Sequence, residues 1–251
     1  MKLTGNTIFI TGGGSGIGRG LAEALHTLGN QVIISGRRQG ALDEVTAANP
    51  GMLSIALDIE DTASIVSAAA KLTEEFPKLN VLLNNAGIMR PEDLKKAEVT
   101  DAEAIISTNL LGPIRITAAL MPCLLRQASA TVINVSSGLG FVPLAMTPTY
   151  CATKAAIHSY TQSLRYQLQG TAIKVVEIIP PWVATELMGE TPTDPRAMPL
   201  DKFIAEAVQI LGTDVDEVCV QNVMFLRHAA KGDEAALFKN FNDSLSAAAA
   251  H

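Results

Sequence analysis

The sequence is poor in aromatic residues, histidine and cysteine, and each shortage removes a class of protein from consideration. Aromatic residues make up 4% of the 251 residues, so the 48% hydrophobic content is mostly aliphatic, as in helices packed on a buried sheet. The histidines and cysteines lie too far apart for a metal-binding spacing, and we expect no structural zinc. An odd number of scattered cysteines is typical of reduced thiols in a cytosolic protein; they are Cys123, Cys151 and Cys219.

Positive charge and long apolar runs are also scarce. Lysine and arginine (19) are outnumbered by aspartate and glutamate (25), and the net charge of -6 argues against a nucleic-acid partner. Residues 1–6 contain no apolar segment, and no apolar run approaches the roughly 18 residues that cross a bilayer. We therefore expect a cytoplasmic protein with no membrane partner. No linker, repeat or charge block is visible, so we expect one domain over residues 1–251.

A glycine-rich turn between a strand and a helix is the first feature that indicates a ligand. Residues 7–11 predict a buried strand and residues 19–28 a helix that Gly29 ends. The glycines are spaced Gly12-x-x-x-Gly16-x-Gly18, so the backbone can turn tightly and approach a diphosphate at the helix N-terminus. This context favours a dinucleotide site over a ligand-free loop. The predicted contacts are Gly12, Ser15, Gly16, Ile17 and Gly18.

The second predicted strand, residues 31–35, ends in two arginines. NAD-binding folds usually place a carboxylate there for the ribose 2′-hydroxyl, whereas this chain has Arg37 and Arg38. A guanidinium suits a 2′-phosphate through its planar fork and permanent charge, so NADP(H) is the preferred cofactor and NAD(H) remains possible. The alternative is two solvated arginines in a turn.

Polar residues follow the next two predicted strands as well. Asp58 and Ile59 follow residues 52–57; Asp58 either accepts a hydrogen bond from the adenine amino group or caps the helix predicted at 62–76. Residues 84–87, Asn-Asn-Ala-Gly, follow the strand at 81–83 and suit close approach to a ligand. The helical pattern at 100–125 is expected to kink or restart near Gly112. Asn109 inside it is either a structural tie or part of a polar site.

The fifth predicted strand, residues 131–136, leads to Ser137, a loop at 139–149 and then Tyr150-x-x-x-Lys154. The i,i+4 spacing puts the phenol and the ammonium on one helical face, one turn apart. We expect the cation to lower the pKa of Tyr150, so that this tyrosine can exchange a proton with an alcohol oxygen. A sixth strand is predicted at 173–179, and residues 180–185 follow it.

Alternating strands and helices of this kind predict an α/β fold, a doubly wound parallel sheet of about seven strands with helices on both faces. A helix at 201–211, a seventh strand at 217–220 and a helix at 234–241 complete the pattern. Ligands bind at the carboxyl ends of the strands in such sheets, and the polar motifs converge there.

Together the motifs resemble the short-chain dehydrogenase/reductase family over residues 5–185. The resemblance implies that Tyr150 is the general acid/base and that Lys154 holds the nicotinamide ribose and lowers the tyrosine pKa. It also implies that Ser137 positions the substrate oxygen and that Asn109 holds a water linking the lysine to solvent. Further implied cofactor contacts are Asn85, Gly87, Pro180, Val183 and Thr185. Pro180-Pro181 stands where the family usually has Pro-Gly.

The resemblance implies hydride transfer between NADP(H) and a ketone or secondary alcohol, with carbonyl reduction preferred, in a homodimer or homotetramer. Residues 186–212 are expected to form a substrate loop, with 186–199 as a lid. Pocket candidates, each equally interpretable as core, are Ser137, Leu139, Met146, Trp182, Met188 and Met89. The alternatives are a sugar-nucleotide epimerase or dehydratase, which shares Tyr-x-x-x-Lys, and a cofactor-sensing regulator without turnover.

Overall fold

The structure is a computed structural model, and it describes residues 1–189, 194–229, 240, 241, 243 and 244. The helix predicted at 234–241 falls almost wholly outside the described residues, as does the alanine-rich tail. Part of the predicted lid, residues 190–193, lies outside them too.

Seven parallel strands form one sheet in the order β3-β2-β1-β4-β5-β6-β7. Each strand is a short apolar run, so both faces can be buried by helices. The reversal of strand order beside β1 creates a crevice at the carboxyl edge, which is where ligands bind in such folds. The strands are β1 Thr7–Thr11, β2 Gln31–Gly36, β3 Leu53–Ala56, β4 Leu79–Asn84, β5 Ala130–Val135, β6 Ile173–Ile179 and β7 Glu217–Cys219.

Helices cover both faces of the sheet, as predicted. The described helices are α1 Gly16–Thr27, α2 Gln39–Ala48, α3 Thr62–Glu75, α4 Thr100–Ile106, α5 Gly112–Leu125, α6 Pro148–Gln167, α7 Leu200–Leu211 and α8 Met224–Arg227. One core cluster packs α1, α2 and α7 on the sheet, with Leu21 and Phe203 at its centre. The other packs α3, α5 and α6 on the opposite face, with Leu72 and Leu120 fully buried.

The helical stretch Thr100–Leu125 corrects one expectation. It is long and apolar enough to cross a membrane, with a mean hydropathy of 1.4 over its best window, whereas no such stretch was predicted. Its apolar residues are interspersed with Asn109, Thr117 and similar residues, so the average is high without a continuous run. In this fold 44% of that window is buried, with Ile116 and Leu124 in the core. Core helices of globular proteins meet the same test of length and composition.

Candidate active site

Tyr150 lies in the first turn of α6, with Lys154 one turn later. The helix begins at Pro148, earlier than the helix-rich run at 153–168 indicates, because proline suits the first helical position. Both side chains are buried, Tyr150 to 6% and Lys154 to 4% exposure. The Lys154 ammonium lies 5.5 Å from the centre of the tyrosine ring. The predicted shared face is therefore present.

Ser137 meets Tyr150 from the end of β5. The two side chains are hydrogen-bonded, and the Ser137 Oγ also accepts from the Leu139 N–H at 3.1 Å. The segment after Ser137 is held in place because the Gly138 N–H donates to the Pro180 carbonyl at 2.9 Å. Two hydroxyl groups therefore converge at the carboxyl edge, where a substrate oxygen can bond to both.

Burial, rather than the neighbouring ammonium, dominates the pKa of Tyr150. Removal from water raises this pKa well above its usual range, and the hydrogen bond with Ser137 only partly opposes the rise. The protein's own groups therefore raise the pKa of Tyr150, and the expectation that this pKa is lowered is wrong. The Lys154 Nζ instead donates to the Val135 carbonyl at 2.8 Å. Burial lowers the pKa of Lys154 to about 8, and the negative charge of Glu177 opposes that fall.

Asn109 lies in a π-helical turn, Ser107–Leu111, that separates α4 from α5. Its Oδ1 accepts from the Ile88 N–H at 2.8 Å, and its Nδ2 donates to the Ile88 carbonyl at 2.9 Å. Nδ2 also lies 3.4 Å from the Thr153 Oγ1 on α6. Asn109 therefore ties the segment after β4 to the helix that carries Tyr150. Single π turns inside α-helices are frequent at functional sites.

The glycine turn is closed by close backbone contacts that exclude side chains. Gly12 has a φ of 69°, and a Cβ on Gly18 would lie 2.2 Å from the Gly12 carbonyl oxygen. The Asn85 Nδ2 donates to the Thr11 and Gly12 carbonyls, each at 3.1 Å. Asn85 was predicted as a cofactor contact; in the structure its amide group holds this turn against the end of β4.

The start of α1 offers a site for an anion. The helix begins at Gly16 with no acidic residue in its first turn, and its N-cap Ser15 makes no capping side-chain bond within the described part of the chain. Free N–H groups and the positive dipole end therefore face the turn. A Cβ on Gly16 would lie 3.6 Å from the Thr185 side chain, so Thr185 stands over the turn. The Ile17 side chain packs against the core instead.

The two arginines after β2 are both engaged by neighbours. The Arg37 Nη1 pairs with the Glu60 Oε1 at 3.1 Å, and the Arg38 Nη2 donates to the Ser15 Oγ at 3.3 Å. The Glu60 Oε1 is fixed in turn by the Thr108 hydroxyl at 2.7 Å. The Arg38 guanidinium thus borders the glycine turn, whereas Arg37 is held by Glu60 and is 51% exposed. The residues suit a phosphorylated dinucleotide: an open helix N-terminus for the diphosphate, with cations beside it.

Asp58 and Ile59 have different surroundings from those expected. Asp61, rather than Asp58, caps α3, because its side chain accepts from the Ala63 N–H at 2.9 Å. The capping alternative for Asp58 is therefore wrong. Ile59 is buried, and a Cβ on Gly112 would lie 2.6 Å from its side chain, so the Ile59 side chain belongs to the core.

Gly87, another predicted cofactor contact, lies beside Asn109, because a Cβ added to Gly87 would lie 3.4 Å from the Asn109 Oδ1.

The segment after β6 is pinned by a short bridge to the far end of the predicted lid. Val183 pairs with Met198, the Ala184 N–H donates to the Met198 carbonyl at 2.9 Å, and the Met198 N–H donates to the Trp182 carbonyl at 2.8 Å. The second half of the predicted loop region, α7, packs on α1 through Ile204. The predicted loop region 186–212 thus ends in a packed helix, and the lid at residues 186–199 stays a prediction.

The pocket candidates fall into two groups. Leu139 and Met89 join Tyr150 in a small apolar cluster. Met146, Trp182 and Met188 are between 42% and 46% exposed, so they are available to a ligand.

Comparison with known proteins agrees with this geometry. The family model described as short chain dehydrogenase matches residues 6–196. The uncharacterized oxidoreductase DltE of Bacillus subtilis is 37% identical over 249 residues, which cover 96% of this chain and 98% of DltE. The chain belongs to the short-chain dehydrogenase family. It is therefore an oxidoreductase of the short-chain type.

Solved structures of two relatives resemble this short-chain dehydrogenase closely. The closed form of serine dehydrogenase complexed with NADP+ is 28% identical, with a TM-score of 0.78, covering 84% of this chain and 92% of its own. The 3-ketoacyl-(acyl-carrier-protein) reductase of Brucella melitensis complexed with NADH is 27% identical, with a TM-score of 0.78, covering 85% and 93%.

Two further residues of the site have no role predicted from the sequence. Thr11 ends β1, and its Oγ1 accepts from the N–H groups of Asn85 and Ala86, both at 3.1 Å. Glu92 clamps the start of α6, because its carboxylate accepts from the Thr149 N–H at 3.0 Å and from the Thr149 hydroxyl at 2.7 Å. The polar residue at the strand end is a usable signal for Thr11. No local spacing points to Glu92, which lies in a loop 57 residues before its partner.

Proposed function

We propose that this short-chain dehydrogenase transfers hydride between NADP(H) and a ketone or secondary alcohol, and that carbonyl reduction is its preferred direction. The observation that carries the proposal is the meeting of Tyr150 and Ser137 at the carboxyl edge, with Lys154 one turn from the tyrosine. The nicotinamide supplies the hydride when it is bound. The protein's own groups handle the oxygen of the substrate and its proton.

In this mechanism Ser137 donates a hydrogen bond that orients the substrate carbonyl, and Tyr150 gives its proton to the oxygen as negative charge develops there. A tyrosine whose pKa is raised by burial is fully protonated at neutral pH, as a proton donor must be. The Lys154 ammonium stabilises the phenolate left behind. Burial of Tyr150 and Lys154 strengthens both electrostatic interactions because the surroundings have a low dielectric constant.

The NADP(H) preference rests on the arginines beside the glycine turn. Arg38 contacts Ser15, the N-cap of the helix whose N-terminus suits the diphosphate, and Arg37 precedes Arg38 directly after β2. The serine dehydrogenase relative was solved with NADP+, which supports the choice, and the 3-ketoacyl reductase with NADH keeps NAD(H) as the second cofactor. Glu60 pairs with Arg37, so a 2′-phosphate competes with this carboxylate for the guanidinium.

The proposal extends to the substrate pocket, the location and the assembly. We assign the pocket to Leu139, Met146, Trp182 and Met188, with residues 186–199 as the lid. Free thiols at all three cysteines fit a cytoplasmic location. Assembly as a homodimer or homotetramer would cover exposed apolar side chains on the α4–α5 stretch, which are Ile106, Leu111 and Leu125.

The test is a panel of ketones and secondary alcohols assayed with reduced and oxidised forms of both cofactors, followed at the nicotinamide absorbance. We expect turnover of at least one ketone class with NADPH, and a higher kcat/KM with NADPH than with NADH. Binding of cofactor with no turnover across the panel would favour a sensing role. Turnover confined to sugar nucleotides would favour the epimerase alternative.

A further inference from the structure

Four neighbouring strands carry a row of polar side chains at one register of the sheet. Asn84 on β4 lies opposite Asn134 on β5, Asn134 lies opposite Glu177 on β6, and Glu177 lies opposite Glu217 on β7. Contacts with α5 and α6 place the row on the face that these helices cover. Such a row is costly inside a parallel sheet unless each group finds a partner.

The amide half of the row is largely hydrogen-bonded, although the Asn84 Oδ1 has no hydrogen-bond partner among the described residues. The Asn84 Nδ2 donates to the Asn134 Oδ1 at 2.8 Å and to the Thr117 hydroxyl on α5 at 2.9 Å. The Asn134 Nδ2 donates to the Thr161 hydroxyl on α6 at 2.9 Å. These bonds hold α5 and α6 on the sheet, so this half of the row has a structural role.

The acidic half is different, because it places the fully buried carboxylate of Glu177 beside the partly exposed carboxylate of Glu217. Both oxygens of Glu217 accept from Arg227, at 2.7 and 2.9 Å. Glu177 is fully buried; its Oε2 lies 2.8 Å from the His158 Nδ1, and its Oε1 has no hydrogen-bond partner among the described residues. The ligand atoms of His158, Glu177 and Glu217 lie within 4.8 Å of one another, as for a cation site, but Arg227 occupies Glu217. Among the described residues Glu177 is therefore bonded through Oε2 to His158, while its Oε1 faces no donor.

Lys154 is a second basic side chain on the face of α6 that carries His158. It precedes His158 by one turn on α6, and its Nζ bonds to the Val135 carbonyl, next in the chain to the Asn134 that faces Glu177. Glu177 is the charged side chain that acts on Lys154. The titratable groups around Glu177 are Lys154, His158 and Arg165 on α6, Asp216, Glu217 and Cys219 on or beside β7, and Arg227 on α8.

We propose that Glu177, oriented by His158, is a positioning residue that keeps Lys154 in its ammonium form and so sets the upper pH limit of carbonyl reduction. The effect of Glu177 on carbonyl reduction rests on the proposed function, whereas its effect on the charge of Lys154 concerns the protein alone. Burial lowers the pKa of Lys154 and so favours loss of the ammonium proton, whereas the negative charge of Glu177 raises that pKa. Without the carboxylate, Lys154 would lose its proton at a lower pH, and the phenolate of Tyr150 would lose its stabilising cation.

The test compares the wild type with Glu177→Gln, which keeps the shape of the side chain but removes its charge. The pKa of Lys154 is read from the 13Cε shift of lysine-labelled protein, with the resonance assigned by its loss in Lys154→Arg. We expect that pKa to fall by about one pH unit or more in Glu177→Gln. The alkaline limb of the kcat/KM profile for ketone reduction should move down by the same amount.

Two further variants separate charge from packing. Glu217→Gln removes the neighbouring carboxylate, which is bound to Arg227, and should shift the pKa of Lys154 by less than half as much. His158→Gln leaves the charge of Glu177 in place and offers an amide N–H instead of the imidazole, so the pKa of Lys154 should stay nearly constant.

Several outcomes overturn the proposal. These are an unchanged pKa of Lys154 in Glu177→Gln, an equal fall in Glu217→Gln, or a fall in His158→Gln. If Glu177→Gln does not fold, the His158→Gln and Glu217→Gln results still decide. If no ketone is turned over by the wild type, the proposed function fails while the 13Cε titration still tests the electrostatic claim.

Discussion

Replacing Lys154 by methionine should change how the free energy of unfolding depends on pH. Burial lowers the pKa of Lys154 from its ordinary value of 10.5 to about 8 in the folded protein. Between these two values the unfolded chain holds the proton and the folded chain does not, so the stability of the wild type rises with pH in this window. The gap between the two pKa values corresponds to about 3 kcal/mol, at about 1.4 kcal/mol per pKa unit.

The assay is urea unfolding of both proteins at several pH values between 7 and 10.5. The methionine variant lacks the titrating group, so the wild type should gain about 3 kcal/mol relative to Lys154→Met across the window. The loss of the bond to the Val135 carbonyl adds an offset at every pH and does not change the slope. A difference that stays constant with pH, or that falls, would show that Lys154 is not desolvated as the structure indicates.

Three other variants test the cofactor side and the frame of the site. Arg37→Ser should lower the preference for NADPH over NADH in kcat/KM about tenfold, since a charge-assisted bond is lost; an unchanged ratio would exclude Arg37 as the reader of the 2′-phosphate. Glu92→Gln should lower the free energy of unfolding by about 1 kcal/mol, because it weakens two bonds to Thr149; equal stability in urea would contradict the clamp. Gly18→Ala should lose a few kcal/mol from a 2.2 Å backbone clash, whereas Gly40→Ala, with nothing within 4 Å, should gain about 0.5 to 1 kcal/mol in the same assay.

The fold was predictable because its strands are apolar over most of their length. The predicted strand at 173–179 matches β6 in both bounds, whereas α1 begins at Gly16, earlier than the predicted start at 19, so that Gly16 and Gly18 lie in its first turn. Ser137 follows the end of a predicted strand, and Tyr150 and Lys154 lie in the helix that comes next. Because the carboxyl ends of parallel strands lie at one edge of the sheet, the sequence predicts these three residues near that edge. The strand β4 extends to Leu79–Asn84, beyond the predicted 81–83, because Leu79 pairs with Thr7 and Asn84 with Asn134, while Asn80 lies at a register shift between β1 and β4.

The electrostatics of the site could not be predicted from local spacing. The spacing Tyr150-x-x-x-Lys154 indicates a nearby cation, but it does not show how deeply the phenol is buried. Burial is the largest influence on the pKa of Tyr150. One signal was available, because Glu177 is an acidic residue between the apolar residues 175–176 and 178–179 of β6. His158, four residues after Lys154 on the same helical face, was the second sign of a buried charge pair.

The proton transfer from Tyr150 is the central claim, and Tyr150→Phe tests it most directly. The variant removes one hydroxyl from a buried ring and leaves the glycine turn untouched. We predict that ketone-dependent oxidation of NADPH falls by at least about a hundredfold in kcat, while the Kd for NADPH, measured by fluorescence titration, changes less than about twofold. Retention of near-wild-type turnover in Tyr150→Phe, with cofactor still bound, would contradict the account.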